Sequence, residues 1–366
     1  MSIDILQEKI RKTKCPVMLE LSASVSELPP HLLSQSAADG YARVCRELLE
    51  ALKGSVPAVR VSFSSFALLG AEGINQLTDV LKYAKKLGYY VTLDAPEILG
   101  SRAAQRTADV VFGEDSPFPC DSLIVLGYLG TDCVRPFLEG CKTGKKDIFV
   151  AIRTANRTAP ELQDLRAGGR LVHIAGADLV NRCADGLTGK FGYSPVGILS
   201  AANAPDSLRA LREKYPRLFL LVDGYGAVGA NAKNCAWAFD KLGHGAIVCG
   251  GGSILRAWQQ AQSDGSDYVS QAETAVERMK RNLSRYITIL LGNENEKKRP
   301  GRYRPIGDDR HHVPVRGAAL SHRRPACPLS AARELRHGAG RLDAVHPRRY
   351  GRDKIRFADS EQSGGL

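Results

Sequence analysis

Few positions in this chain combine a reactive side chain with a setting that could put it to use, and Asp94 heads them. It closes the run Tyr89-Tyr90-Val91-Thr92-Leu93-Asp94, which is β-branched and aromatic up to the acid. Such a run reads as a strand buried on both faces that delivers a carboxylate to the turn beyond it, where it can pair with a cation, move a proton or cap the turn. Pro96, two residues on, has no titratable atom. Arg153-Thr154-Ala155-Asn156 follows another apolar run and could hold a polar ligand or anchor its own loop. Gly192-Tyr193-Ser194 and Gly224-Tyr225-Gly226-Ala227 set aromatics beside glycines, either to face a ligand or to pack. Cys249-Gly250-Gly251-Gly252-Ser253 opens a helix, where backbone N–H groups can cradle a phosphate; a plain tight turn is the alternative. Lys190 is a candidate proton donor near these segments, or a solvated surface lysine.

These residues need strands to carry them, and the sequence supplies eight short apolar runs. They are Val17 to Leu21, Val59 to Phe63, Tyr90 to Leu93, Leu123 to Leu126, Ile148 to Ile152, Val196 to Leu199, Leu218 to Val222 and Ala246 to Cys249. Helical spacing fills the gaps at about Ala37 to Leu52, Gly73 to Leu87, Ser101 to Phe112, Cys133 to Gly140, Ala175 to Ala184, Ala204 to Tyr215 and Ala232 to Leu242. Strict alternation implies a parallel sheet, because each parallel strand needs a crossover. Eight units over about 250 residues fit a closed (β/α)8, or TIM, barrel of the α/β class, with reactive groups at the C-terminal strand ends. An open doubly wound sheet shows the same alternation, but no G-x-G-x-x-G follows the first run and no P-loop occurs. The expected division is a barrel over 1–262, a long helix within 263–292 (Tyr268 to Leu291), and a tail over 293–366.

The net charge of +12 lies in that tail. From Lys297 onward there are 17 Lys and Arg against 7 Asp and Glu, leaving 34 basic and 32 acidic groups before it. The nearly neutral body gives no case for nucleic-acid binding, which would require the tail to be a genuine basic arm. Out-of-frame translation of a GC-rich gene is the other account of a segment holding 14 Arg, 5 His and no hydrophobic period. Nine scattered cysteines without a C-x-x-C pair fit reduced thiols, and the three body histidines lack zinc-ligand spacing. No apolar run reaches the roughly 18 residues needed to cross a bilayer, and no signal-peptide order opens the chain, so the expectation is a cytoplasmic protein without a membrane partner.

Over about residues 1–260 the chain resembles the longer bacterial type of orotidine 5′-phosphate decarboxylase. The resemblance rests on Val17-Met18-Leu19-Glu20-Leu21, Val59-Arg60-Val61-Ser62, Leu93-Asp94, Gly192-Tyr193-Ser194 and, most specifically, on Arg153-Thr154-Ala155-Asn156 and Gly224-Tyr225-Gly226-Ala227. It implies cofactor-free, metal-free conversion of orotidine 5′-phosphate to UMP by a homodimer. A fixed ammonium would sit beside the carbon that loses carbon dioxide and then protonate it. The family carries that lysine in a D-x-K-x-x-D pattern. Laid on this sequence, Asp94 matches the first acid, Pro96 the lysine and Leu99 the second acid. Arg60 falls at a second lysine, Ser22 at a ribose-contacting acid, Val228 at a phosphate-contacting glutamine and Gly252 at a phosphate-contacting arginine.

The resemblance thus marks Asp94 and Arg60 as what remains of the catalytic centre. Ser22, Arg153, Thr154, Asn156, Tyr193, Ser194, Gly224, Tyr225, Gly226, Gly251, Gly252 and Ser253 are the substrate-binding candidates. The first functional reading is a degenerate, weakly active or non-catalytic family member, kept as a binding or oligomerising partner of pyrimidine enzymes. The second is an enzyme acting on orotidine monophosphate or another phosphorylated small molecule through a rearranged site.

Overall fold

Eight strands pair in parallel and close on themselves: β1 (Val17–Leu21), β2 (Ala58–Ser62), β3 (Tyr90–Asp94), β4 (Ser122–Leu126), β5 (Asp147–Arg153), β6 (Ser194–Ala201), β7 (Leu218–Asp223) and β8 (Ala246–Gly250). The order around the barrel is β1-β8-β7-β6-β5-β4-β3-β2. Closure runs through β1, which pairs Val17 with Val248 on one side and Leu19 with Val59 on the other, so the open-sheet alternative is excluded. The computed structural model describes residues 1–33, 36–94, 99–226 and 229–288. Contacts divide the chain into units Met1–Arg299 and Pro300–Leu366. The described residues all belong to the first unit, and the basic tail with both accounts of it lies outside them.

The apolar runs are unbroken because both strand faces are covered. Met18, Ala58, Tyr90, Phe149, Leu199, Phe219, Leu221 and Ile247 fill the barrel interior. Their neighbours in sequence, such as Val17, Leu19, Val59, Val91, Ile148, Ile198 and Leu220, turn outward into a second cluster beneath the helices. This two-residue alternation between two apolar layers is the pattern of a buried parallel strand.

Helices Ala37–Ala51, Gly70–Lys86, Ser101–Val111, Val172–Cys183 and Pro205–Lys214 match the expected segments closely. Two expected helices are corrected. Cys133 to Gly140 is instead two 3-10 turns and a short helix, Leu138–Lys142, because Pro136 cannot continue an α-helical ladder from within. The segment from Ala232 is helical only to Ala236; beyond it the Asp240 carboxylate accepts from the N–H groups of Leu242 and His244, which holds a turn. The helix from Tyr268 ends at Ser284, shorter than its apolar spacing suggested. All eight described cysteines are free thiols, and no described helix is long and apolar enough to cross a membrane.

A helix the sequence reading did not place, α1 (Ser2–Thr13), stoppers the barrel's N-terminal end. Ile3, Leu6 and Ile10 recur at helical spacing and pack into the interior cluster. Beside α1, Asp147 is fully buried and accepts a hydrogen bond from the Tyr90 hydroxyl at 2.6 Å. Burial lifts its carboxyl to about 7, against the hydrogen bond from Tyr90. An unfolded aspartate titrates near 4, so between about pH 4 and 7 the folded chain keeps a proton that the unfolded chain releases. Stability should therefore fall as pH rises through that window, by about 2–4 kcal/mol from this group. Asp147→Asn should flatten the slope; urea unfolding at pH 5 and pH 8 checks this, and an unchanged slope would refute it.

Candidate active site

Parallel strands all point their C-terminal ends to one mouth, and there the barrel gathers charge. Arg60, on β2, is 8% exposed. Its Nη2 donates to Asp94 Oδ2 of β3 at 2.6 Å, and its Nη1 lies 3.4 Å from Glu20 Oε1 of β1 and 3.4 Å from Asp223 Oδ1 of β7. Register sets part of this, since Glu20 pairs with Arg60 and Ser62 with Asp94 across neighbouring strands. Asp223 arrives from across the mouth and also accepts from the Gly224 N–H at 2.7 Å. Ser22 sits beside the cluster, donating through Oγ to Glu20 Oε1 at 3.1 Å.

Three carboxylates thus share one guanidinium. Burial raises the Glu20 carboxyl, with Asp223 and Asp94 pushing the same way against the pull of Arg60 and the Ser22 hydrogen bond. Burial alone would lower Arg60, but Glu20, Asp223 and Asp94 outweigh it and hold the guanidinium well above its ordinary value. It is a fixed cation with no readily released proton. The donor atoms of Glu20, Asp223 and Cys249 lie within 4.8 Å of one another, a spacing that could hold a metal ion. The Arg60 guanidinium already stands between the two carboxylates, however, and would repel a second cation there.

The remaining candidates divide by strand end. Gly224, Tyr225 and Gly226 follow β7, and Gly251, Gly252 and Ser253 follow β8, all at the mouth. Gly251 and Gly252 lie close against the ends of two flexible side chains. A Cβ on Gly251 would stand 2.8 Å from Glu20 Oε2, and one on Gly252 would stand 2.5 Å from Arg256 Nη2. Ser253 Oγ is buried without a hydrogen-bond partner. The helix opened here, Gly252–Leu255, is a single turn.

Arg153, Thr154 and Asn156 also reach the mouth but are bound into their own loop. Arg153 grips Asp164 through Nε at 3.0 Å and Nη2 at 3.1 Å, and His173 Nδ1 lies 3.1 Å from the same carboxylate. Thr154 is tied to Gln163 by two hydrogen bonds of 2.8 Å and donates to Asn156 Oδ1 at 2.5 Å.

Tyr193, Ser194 and Lys190 are corrected. They stand at the start of β6, the opposite end of the barrel from Asp94. The Tyr193 ring packs edge-on against Phe219 and its hydroxyl donates to Asp240, while Lys190 pairs with Glu8 of α1. None of the three can reach a ligand at the mouth. Leu99 is 89% exposed, and Pro96, Ala227 and Val228 lie outside the described residues. Glu20 and Asp223 were missed as site residues. Their signal was present, since an acid inside an apolar strand run is costly to bury without a partner.

Fold and site together define a (β/α)8-barrel protein with an ionic cluster at the mouth, where such barrels carry their functional residues. The chain is 30% identical over 293 residues to orotidine 5′-phosphate decarboxylase of Rhodopirellula baltica, covering 76% of this chain and 97% of that protein. The Clostridium novyi protein of the same name is 25% identical over 77% of this chain and 98% of its own length. No family model matches. Among solved structures, Leishmania donovani OMP decarboxylase aligns with a TM-score of 0.59 at 22% identity, covering 77% of this chain and 98% of that one. The Plasmodium berghei enzyme gives 0.61 at 14% identity, covering 77% and 98%. The chain belongs to the orotidine 5′-phosphate decarboxylase family.

Removing the central cation should expose the cost of the cluster. Arg60→Met leaves Glu20, Asp94 and Asp223 facing each other, and about 3–5 kcal/mol of stability should be lost near pH 7.5. Without Arg60 the Glu20 carboxyl, already raised by burial, loses the cation that pulls it down, so part of the loss should return on lowering the pH to about 5. Urea melts at both pH values test this; equal losses at each would show that repulsion is not the cause.

Proposed function

We propose that this chain is a degenerate member of its family, binding a nucleotide monophosphate at the barrel mouth without decarboxylating it at an enzymatic rate. The observation that carries this reading is the composition of the cluster: around Asp94 the described cation is Arg60, and the sequence has proline where the resemblance places the lysine. Loss of carbon dioxide leaves an electron pair on a ring carbon that must be stabilised and then protonated. A guanidinium held far above neutrality, and engaged by three acids, is a poor donor for that step. The Gly250 to Ser253 turn is the proposed seat of the phosphate. In support, the unpartnered Ser253 Oγ lies there and the Arg256 guanidinium folds back against Gly252. A homodimer belongs to the same reading and is carried by the resemblance alone.

Purified full-length protein incubated with orotidine 5′-phosphate should release carbon dioxide at close to the uncatalysed rate. Measurable UMP formation that scales with protein would overturn the reading. One observation favours a second reading, an active site rearranged around Glu20: burial raises this carboxyl beside the cluster, the direction a proton carrier needs. In that case the activity would appear in the wild type and be abolished in Glu20→Gln.

A further inference from the structure

Beyond the Arg153 loop, three side chains from separate elements line up in a way that the ionic cluster does not use. Asp164 follows the short helix Pro160–Gln163, His173 stands in the first turn of the helix Val172–Cys183, and Ser207 stands in the first turn of Pro205–Lys214, just after β6. His173 Nδ1 lies 3.1 Å from Asp164 Oδ1 and 2.9 Å from the Gln163 carbonyl oxygen, and its Nε2 lies 3.1 Å from Ser207 Oγ. Both neighbours of Nδ1 are acceptors, so in the neutral imidazole the proton sits on Nδ1 and Nε2 keeps a lone pair. The Ser207 hydroxyl therefore donates to Nε2.

The arrangement is fixed at one end and open at the other. The His173 ring is 1% exposed, and Arg153 holds the Asp164 carboxylate through Nε at 3.0 Å and Nη2 at 3.1 Å. Asp164 cannot swing away without breaking both charge-assisted bonds, which keeps the tautomer and the ring orientation set. Ser207, by contrast, is only half-buried, so a small reagent has a side from which to approach. Its helix begins with Pro205, which has no N–H, and Leu208 N–H donates to the Ala204 carbonyl at 3.1 Å. The N–H groups of Asp206 and Ser207 precede that bond at the helix N-terminus, where developing negative charge is stabilised. The exposed Asp206 carboxylate beside them would repel an anionic reagent and so favours an uncharged one.

We propose that Ser207 is a nucleophile towards small uncharged acyl esters, with His173 as its general base and Asp164 as the positioning residue behind the imidazole. Ser207 Oγ attacks the ester carbonyl carbon as Nε2 accepts its proton, and the carbonyl electron pair moves onto oxygen. When that pair returns, the bond to the alcohol breaks, the alcohol leaves with the proton from Nε2, and the acyl group stays on Oγ. Water then attacks the acyl carbon with the same base, releasing the carboxylic acid and restoring Ser207. This chemistry is independent of the nucleotide reading and of the Arg60 cluster.

Two measurements on the full-length protein test it: covalent labelling by a fluorophosphonate, with the modified residue mapped by peptide mass spectrometry, and hydrolysis of p-nitrophenyl acetate. The expected label is on Ser207, and Ser207→Ala should lose both the label and the hydrolysis. His173→Gln should slow both by at least about a hundredfold. Asp164→Asn should slow them as well without moving the modified site, because an amide N–H facing Nδ1 favours the wrong tautomer. If the three groups only pin the helices together, these substitutions will lower the melting temperature and leave both rates unchanged. Wild-type protein that carries no label on Ser207, or hydrolysis undiminished in Ser207→Ala, would overturn the proposal. The wild-type label decides alone should the variants fail to fold.

Discussion

Arg60 cannot be understood without the closed barrel, nor can the mouth of the barrel be understood without Arg60. Its partners arrive on β1, β3 and β7, and β7 reaches the cluster only because β8 closes the ring onto β1. Three carboxylates brought together in a half-dry mouth would repel one another strongly, and the guanidinium between them makes the arrangement tolerable. The fit is not generous. Two of the three acids stand at 3.4 Å, and two of the guanidinium's nitrogens lack a well-placed acceptor. Ser22 and the Gly224 N–H supply the extra hydrogen bonds that Glu20 and Asp223 need, and Gly251 leaves the space that the Glu20 carboxylate occupies.

The two ends of the barrel solve the same problem in opposite ways. At the base, α1 inserts apolar side chains, and the buried acid there, Asp147, answers to a tyrosine hydroxyl and moves towards a neutral form. At the mouth the described acids are gathered around a guanidinium instead. This division lets a barrel keep its architecture while the chemistry at its mouth changes, because the residues that fill the interior and the outer layer are distinct from those at the strand ends. Family membership and catalytic competence are therefore separate questions for this chain. The first is answered by similarity along most of its described length, and the second turns on a few side chains around Asp94.

Much of this was legible in the linear chain. The eight runs, their spacing and the glycine turns determined a parallel α/β sheet and made the barrel its expected form, because a strand covered on both faces must be apolar throughout and must be followed by a crossover; closure was seen only in the pairing of β1 with β8. The sequence also determined that Asp94 ends a strand, that Pro96 cannot donate a proton and that the body carries almost no net charge. Local pattern failed where a side chain or a proline overruled it, as at Pro136 and Asp240, and where α1 owes its place to the barrel base.

Tertiary structure alone decided which charged residues meet. Glu20, Arg60, Asp94 and Asp223 are separated by dozens of residues or more in sequence, and no spacing rule links them. It likewise turned Arg153 into a loop anchor on Asp164 and sent Tyr193 to the base, although both stand beside strands just as Asp94 does. The physical reason is that composition fixes which segments must be buried, whereas strand order, register and direction fix which ends face the same water. Electrostatics, unlike hydrophobic burial, depends on those few ångströms.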